Sequence, residues 1–179
     1  IPGDLYLTQG IGDGNVYLDN VTVKGKTIVL GGGENSIIIE NSNLEDILIV
    51  KKADGKVRIL AKGTTTIPET EVKSGVKLEE IESSGNCFGQ VQIIQLKPNE
   101  KIEIQANIQT LEVSAPKANI FVSSGNITEL NVADTAKEST IELAESVVVN
   151  SLILDSQVSV TGTGKIEHAE INANDIVIE

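Results

Sequence analysis

The same apolar skeleton occurs four times in the second half of the chain, as IQTLEV (108–113), ITELNV (127–132), VNSLIL (149–154) and IEHAEI (166–171). Each copy has an apolar residue at its first, fourth and sixth position, while the polar residues between them change. The copies are separated by segments of unequal length. This pattern indicates a repeat in which the strands are constrained and the connecting turns are free to vary.

The step of two between the last apolar positions is the period of a β-strand. The step of three, as from Ile108 to Leu111, resembles helical spacing, but Val and Ile dominate and alternation continues on both sides. Asn107 and Gly125-Asn126 come just before two of the copies, and both residue types tolerate sharp corners. We therefore interpret the step of three as strand, corner, strand, with both flanking side chains directed inward.

A second alternating pair follows each copy, and the first half of the chain contains a looser version of the same unit. We align the second pairs in the order Ile120/Val122, Ile141/Leu143, Val158/Val160 and Ile176/Ile178. In the first half the short apolar runs lie near Val16–Leu18, Val21–Val23, Ile28–Leu30, Ile37–Ile39, Leu44, Ile47–Ile49, Val57–Ile59, Ile67 and Val72. The whole chain thus has a period of about 20 residues.

A unit of this length cannot enclose a core alone, but stacked units bury aliphatic columns and pair their strands. We predict an all-β fold, a right-handed parallel β-helix of about eight or nine coils of roughly 20 residues each. Residues 1–179 form one domain, with looser coils at 1–100 and more regular coils at 101–179. We expect it to be a piece of a longer modular protein. An antiparallel sandwich is the alternative, but the hairpin dipeptides it requires are scarce.

Composition limits the classes of function. The net charge is −12 and Arg58 is the single arginine, which argues against nucleic acid and anionic membranes as partners. No apolar run is long enough for membrane insertion. Cys87 is the one cysteine, so no intrachain disulfide or cysteine-based zinc site is expected, and we predict no metal and no cofactor.

No catalytic constellation stands out, so we expect no enzymatic activity. A polysaccharide lyase on a β-helix needs carboxylates with a basic residue, and we expect Arg58 to face solvent instead. Glu79 and Glu80 are adjacent on a strand and should face opposite sides, which argues against a hydrolase pair. We expect Cys87 to be buried and His168 to be exposed. The segments GIGDGN (10–15), GGG (31–33) and TGTGK (161–165) are interpreted as turns, because calcium and phosphate loops need further ligands.

Exposed aromatic rings are the remaining candidates for binding. Tyr6 and Tyr17 both alternate with inward aliphatic residues and lie one short coil apart, so their rings should point outward and stack. The stacked pair is the candidate for carbohydrate binding, and the alternatives are that it covers part of an end or contacts an adjoining domain. Phe88 and Phe121 are expected to be core or corner residues.

Two stretches resemble the β-helical region of surface-layer-associated proteins of Gram-positive bacteria, which often carry S-layer homology domains. They are GNVYLDNVTVKGKTIVLGGGENSIIIENSNLEDILIVKKADGKVRILAKG (14–63) and VTGTGKIEHAEINANDIVIE (160–179). The resemblance implies secretion to the bacterial cell surface and a structural or adhesive role as a rigid scaffold. The partners would be other domains of the same protein, neighbouring surface-layer subunits or polysaccharide. Independently of the resemblance, the excess of acidic residues over lysines predicts that divalent cations bridge neighbouring copies. A carbohydrate-binding module for plant or cell-wall polysaccharide is the alternative, and a polysaccharide lyase or hydrolase comes third.

Overall fold

The computed structural model describes residues 1–179, of which 55% lie in strands. The single helical element is a 3-10 turn at Gln9–Ile11, and no helix has the length and apolar character of a membrane span. The strands in chain order are β1 Leu5–Leu7, β2 Tyr17–Asp19, β3 Thr22–Val23, β4 Thr27–Val29, β5 Ile38–Glu40, β6 Asn43–Leu44, β7 Leu48–Val50, β8 Val57–Gly63, β9 Ile67–Val72, β10 Val76–Ser83, β11 Phe88–Ile93, β12 Ile102–Gln105, β13 Ile108–Val113, β14 Asn119–Val132, β15 Ser139–Leu143, β16 Val147–Leu154, β17 Val158–Gly162, β18 Lys165–Ile171 and β19 Val177–Ile178.

All strand pairings are parallel, and each strand pairs with its equivalent one coil away. Sheet A runs from β1 to β18, sheet B runs from β2 to β19, and a small sheet C contains β3 and β6. The result is a parallel β-solenoid of about 8 turns of roughly 21 residues. The predicted β-helix is therefore confirmed, and the antiparallel sandwich is wrong.

The inward residues of sheet A form columns in register along the whole solenoid. Leu111 pairs with Leu130, and Leu130 pairs with Leu152, as the sequence skeleton predicts. All three side chains are completely buried. The full column is Leu5, Thr27, Leu48, Thr70, Val91, Leu111, Leu130, Leu152 and Ala169.

These columns merge into one hydrophobic cluster of 42 buried residues. Full burial of one Leu, Ile or Val side chain stabilises a fold by about 1.5–3 kcal/mol relative to exposure. Because the cluster is continuous from coil to coil, each coil depends on its neighbours for that burial. The core is thus shared along the axis and does not belong to any one unit.

At the step of three in the sequence, two residues that are not buried separate two inward ones. Ile108 and Leu111 are both completely buried, as predicted. The strand assignment nevertheless continues through this step, and both inward residues belong to sheet A. The change of sheet comes earlier in the coil, where β14 pairs in sheet B up to Ser124 and in sheet A from Gly125. Gly125 lies at this passage with φ 115°, and a Cβ there would meet the Ala106 carbonyl oxygen at 2.1 Å. Only glycine fits this corner.

The alignment of the second pairs was wrong by two residues at one coil. Ile141 pairs with Val160, and Ser139 takes the inward position opposite Val158. Ser139 is completely buried because its hydroxyl is satisfied: the Ala118 N–H donates to Ser139 Oγ at 3.0 Å. An apolar pattern cannot recognise a hydrogen-bonded serine as a core residue.

Polar corners explain why the first half has a looser pattern. Asn20, Asn41 and Gly63 occupy equivalent corners after their sheet B strands, with φ of 55°, 47° and 63°. The buried hydroxyls of Ser42 and Thr65 follow two of these corners and donate to Glu40 and Lys62 carbonyl oxygens, each at 2.7 Å. The later coils have no counterpart of these residues, because Ile67 is the seventh residue after Leu60 whereas its counterpart Ile108 is the third after Gln105.

Candidate functional surfaces

The rings of Tyr6 and Tyr17 face outward, with 59% and 69% of their surface exposed. They do not stack, however. Tyr6 lies on sheet A, where it pairs with Ile28, and Tyr17 lies on sheet B, where it pairs with Ile38. The segment between them contains the 3-10 turn and crosses from one sheet to the other within a single coil. The predicted stacked pair is wrong because the sequence interval is half a coil and not a whole one.

Each tyrosine instead continues a short apolar strip on the outer face of its own sheet. Tyr6 is followed in register by Ile28 and Ile49, and Tyr17 is followed by Ile38 and Leu60. Leu60 is only 5% exposed, although it faces away from the core cluster. The two strips give the first three coils two separate outer patches, each ending in one ring.

Arg58 belongs to a charge network on the outer face of sheet B. Its Nε lies 2.5 Å from Glu79 Oε2, and Lys77 Nζ lies 3.4 Å from the same oxygen. Burial, the largest influence on the Glu79 carboxyl, raises its pKa. The hydrogen bond from Arg58 and the charges of Arg58 and Lys77 together outweigh burial, so the net result is a lowered pKa. Arg58 is paired and largely covered, in contrast to the solvent-facing side chain that we expected.

Glu79 and Glu80 lie on opposite sides of β10, as alternation predicts. Glu80 is in register with the inward Ala61, whereas Glu79 is in register with the outward Leu60. The Glu80 carboxylate accepts hydrogen bonds from the Cys87 N–H at 3.3 Å and the Asn107 side chain at 3.5 Å. It therefore supports a corner of the solenoid and is separated from Glu79 by the strand.

Cys87 and His168 have the surroundings that the sequence predicts. Cys87 is 2% exposed, and burial, with the nearby Glu80 charge, raises the pKa of its thiol to about 11. The group is a neutral thiol at physiological pH and a poor nucleophile. His168 is exposed on β18, four coil steps from the coil of Cys87.

Of the glycine-rich segments, residues 10–15 form the predicted turn, residues 31–33 lie outside the strands, and residues 161–165 join β17 to β18. The first two segments help to line a cleft of about 440 Å³. The Gly32 N–H donates to the Gly12 carbonyl oxygen at 2.7 Å, which stacks the second turn on the first. Lys52 Nζ lies in the same region, 2.9 Å from Asp13 Oδ1. No group of three or more potential metal-binding side chains occurs in the structure.

The two phenylalanines have different positions. Phe88 is completely buried in the core, as predicted. Phe121 faces outward between the inward Ile120 and Val122, which corrects its assignment as a core or corner residue. Strict alternation across these three residues could have shown its direction. Phe121 contributes to a cleft of about 350 Å³ on the outer face of sheet B, with lining residues Lys56, Lys101, Ile102, Glu103, Asn119 and Glu142.

The two ends of the solenoid differ. At the first coil, Leu7 and Leu18 are only 6% and 8% exposed, because Ile11 and Val16 from the crossing segment pack against the core. At the last coil, Ile171 is 51% exposed and Ile178 is 45% exposed, although both continue inward columns. The core cross-section is thus covered at one end and open at the other.

The fold and these surfaces define a parallel β-solenoid. No protein-family model matches the chain, and no curated protein matches it. A solved structure that it resembles is the chitinase ChiW from Paenibacillus sp. str. FPU-7, described as a bacterial cell-surface-expressed multi-modular enzyme machinery. The match has a TM-score of 0.74 and 26% sequence identity and covers 80% of this chain. It covers only 14% of the chitinase chain, so it concerns one module of a much longer protein.

Proposed function

We propose that this chain is a non-catalytic structural module of a bacterial cell-surface protein and acts as a rigid spacer that holds other modules away from their anchor. The observation that carries this proposal is the unbroken parallel pairing of sheet A over eight coil steps, from β1 to β18. The similarity to a module of a cell-surface multi-modular protein supports the location.

The stiffness of the spacer follows from how the coils are joined. Bending the rod would open backbone hydrogen bonds on one side and expose core columns on the other. Neighbouring strands lie about 4.8 Å apart, so eight steps give a rod of about 38 Å. A flexible linker of the same residue count has no fixed end-to-end distance. The folded solenoid therefore fixes the distance between the two modules attached to its ends.

Single-molecule force measurement tests the spacer. The chain is placed between two marker domains and compared with a Gly/Ser linker of equal residue number. We expect the solenoid tether to keep a constant length until it unfolds in discrete steps, because unfolding a coil requires loss of a whole interface. Gradual extension at low force, like that of the linker, would contradict the spacer.

We propose that the partners are adjoining domains of the same protein or neighbouring subunits of a surface layer. The net charge of −12 makes copies repel one another, and divalent cations would reduce that repulsion. Light scattering of the purified chain with and without calcium tests this bridging. Growth in particle size that EDTA reverses supports it, and an unchanged size rejects it.

A carbohydrate-binding module is the second candidate, favoured by the exposure of Tyr6 and Tyr17. Each ring offers a flat apolar face for a sugar, on a separate sheet. Retention on insoluble cellulose, chitin or purified cell wall, with loss in Tyr17→Ala, would support this candidate. The same preparation incubated with a glycan panel that includes chitin tests the proposed absence of enzymatic activity, since release of products would overturn it.

A further inference from the structure

Phe121 is an aromatic residue at a position where the other members of its outer column are charged or polar. The column on sheet B reads Arg58, Lys77, Glu103, Phe121, Glu142 and Thr161. Phe121 contributes no side chain to the core, because Ile120 and Val122 on either side fill the inward positions. Packing of the solenoid core thus gives no reason for a ring here.

The ring lies between two carboxylates that are fixed by strand register. Glu103 is its partner in the preceding coil and Glu142 is its partner in the following coil. Strand spacing places each of these neighbours about 4.8 Å away along the axis. Lys56 Nζ lies 3.2 Å from Glu103 Oε2, whereas Glu142 forms no salt bridge. The Glu103 carboxylate is therefore already paired, and the Glu142 carboxylate is free to accept a hydrogen bond from a ligand.

The rest of the cleft supplies donors and balances the charge. Lys56 and Lys101 provide two ammonium groups against the two carboxylates, and Asn119 adds an amide with both a donor and an acceptor. A charged ligand would find no net attraction in this lining. A ligand with an apolar ring face and many hydroxyl or amide groups would match both the ring and the polar rim.

We propose that the Phe121 cleft binds a neutral saccharide, which stacks one sugar ring on Phe121 and hydrogen-bonds to Glu142 and Asn119. This site is separate from Tyr6 and Tyr17. Those rings lie in the first coil, and the cleft lies on coils in the middle of the solenoid. The cleft does not depend on the spacer role, because a saccharide there would leave the core and strand pairing unchanged.

Titration calorimetry of the whole chain tests the site with four neutral hexasaccharides as probes: those of glucose, N-acetylglucosamine, xylose and mannose in β-1,4 linkage. We expect at least one to bind. Phe121→Ala should weaken that binding by about tenfold, because the loss of a stacked aromatic contact is worth roughly 1.4 kcal/mol. Phe121→Tyr should retain most of it, and Glu142→Gln should weaken it severalfold. Circular dichroism verifies that each variant remains folded.

Three controls distinguish this site from the alternatives. Ile153→Ala, a change on the outer face of sheet A, should leave the affinity unchanged. Polygalacturonate and the glucosamine hexamer, one anionic and one cationic, should bind more weakly than the neutral probe. The assignment is overturned if no neutral hexasaccharide binds, if Phe121→Ala binds as well as the wild-type chain, or if a charged glycan binds best. Loss of binding in Tyr17→Ala, with Phe121→Ala unaffected, would show that the saccharide binds at the first coil, and it would also overturn the assignment.

Discussion

Replacing Leu130 with alanine should destabilise the solenoid strongly. Leu130 is completely buried and lies in register between Leu111 and Leu152. Leucine-to-alanine changes in close-packed cores cost about 3–5 kcal/mol, and the cost is greatest where neighbours cannot move into the cavity. Here the strand ladders fix the coil spacing, so the adjacent leucines cannot close the gap. We therefore expect a loss of about 4 kcal/mol in the free energy of unfolding.

Ile153→Ala is the matched control, because Ile153 is an aliphatic residue on the outer face of sheet A, in register with Asn131. Its side chain is half-buried, and we expect its loss to cost about 1 kcal/mol or less. Urea titration followed by far-UV circular dichroism gives both values. Tyrosine fluorescence, which reports the first coil through Tyr6 and Tyr17, should give the same midpoint if unfolding is cooperative.

Equal losses of unfolding free energy for Leu130→Ala and Ile153→Ala, with the urea dependence of that free energy unchanged, would contradict a close-packed column at fixed coil spacing. That result would mean that the column is loosely packed or that the coil spacing adjusts. A change in urea dependence for Leu130→Ala would instead indicate coil-by-coil unfolding, and the comparison would then use hydrogen exchange of the coil that contains residue 130.

Three further predictions concern single groups. Gly125→Ala should lower the unfolding free energy by about 2–3 kcal/mol, because the new Cβ would meet the Ala106 carbonyl oxygen. Gly3→Ala should leave the unfolding free energy unchanged, because no atom lies within 4 Å of the new Cβ. Equal urea midpoints for the two variants would contradict the requirement for glycine at residue 125. Cys87 should resist a thiol reagent until urea unfolds the chain. The pKa of the Cys87 thiol is about 11 in the folded chain against an ordinary 9.0, so the neutral thiol makes its full contribution to the unfolding free energy below pH 9. That contribution should fall by up to roughly 2.7 kcal/mol as the pH rises through 11. Cys87→Ala should not show this fall. The pKa of Glu79 is lowered, so its carboxylate stabilises the fold above the ordinary pKa of 4.5. The difference in unfolding free energy between the wild type and Glu79→Gln should therefore decrease as the pH falls. A difference that does not depend on pH would contradict the pairing with Arg58.

The solenoid could be predicted from the sequence because each column of its core corresponds to an apolar residue that recurs once per coil. Ile108, Leu111 and Val113 recur at every coil of the second half, and parallel stacking is the arrangement that buries them all. The first half was harder to align, because its corners contain additional residues such as Ser42 and Thr65, whose buried hydroxyls are hydrogen-bonded. A buried polar residue of this kind can be recognised only when its partner carbonyl is known.

The outer surface was less predictable than the core. The exposure of Tyr6 and Tyr17 follows from alternation, but their places on different sheets depend on the path of the crossing segment. Similarly, the cleft around Phe121 brings together residues from four coils, and strand register decides which of them meet. Sequence intervals of 17 to 22 residues between the repeated copies leave that register open until the turns are known.

The most direct test of the account is a distance measurement along the outer column of sheet A. Tyr6 and Glu170 belong to this column and are separated by eight coil steps. Spin labels are attached to Tyr6→Cys and Glu170→Cys in a Cys87→Ala background, and the distance between them is measured by pulsed electron paramagnetic resonance. We expect one narrow distance distribution centred near 40 Å, which is about eight times the 4.8 Å strand spacing. A broad distribution, or a maximum below about 30 Å, would contradict a rigid stack of coils in register.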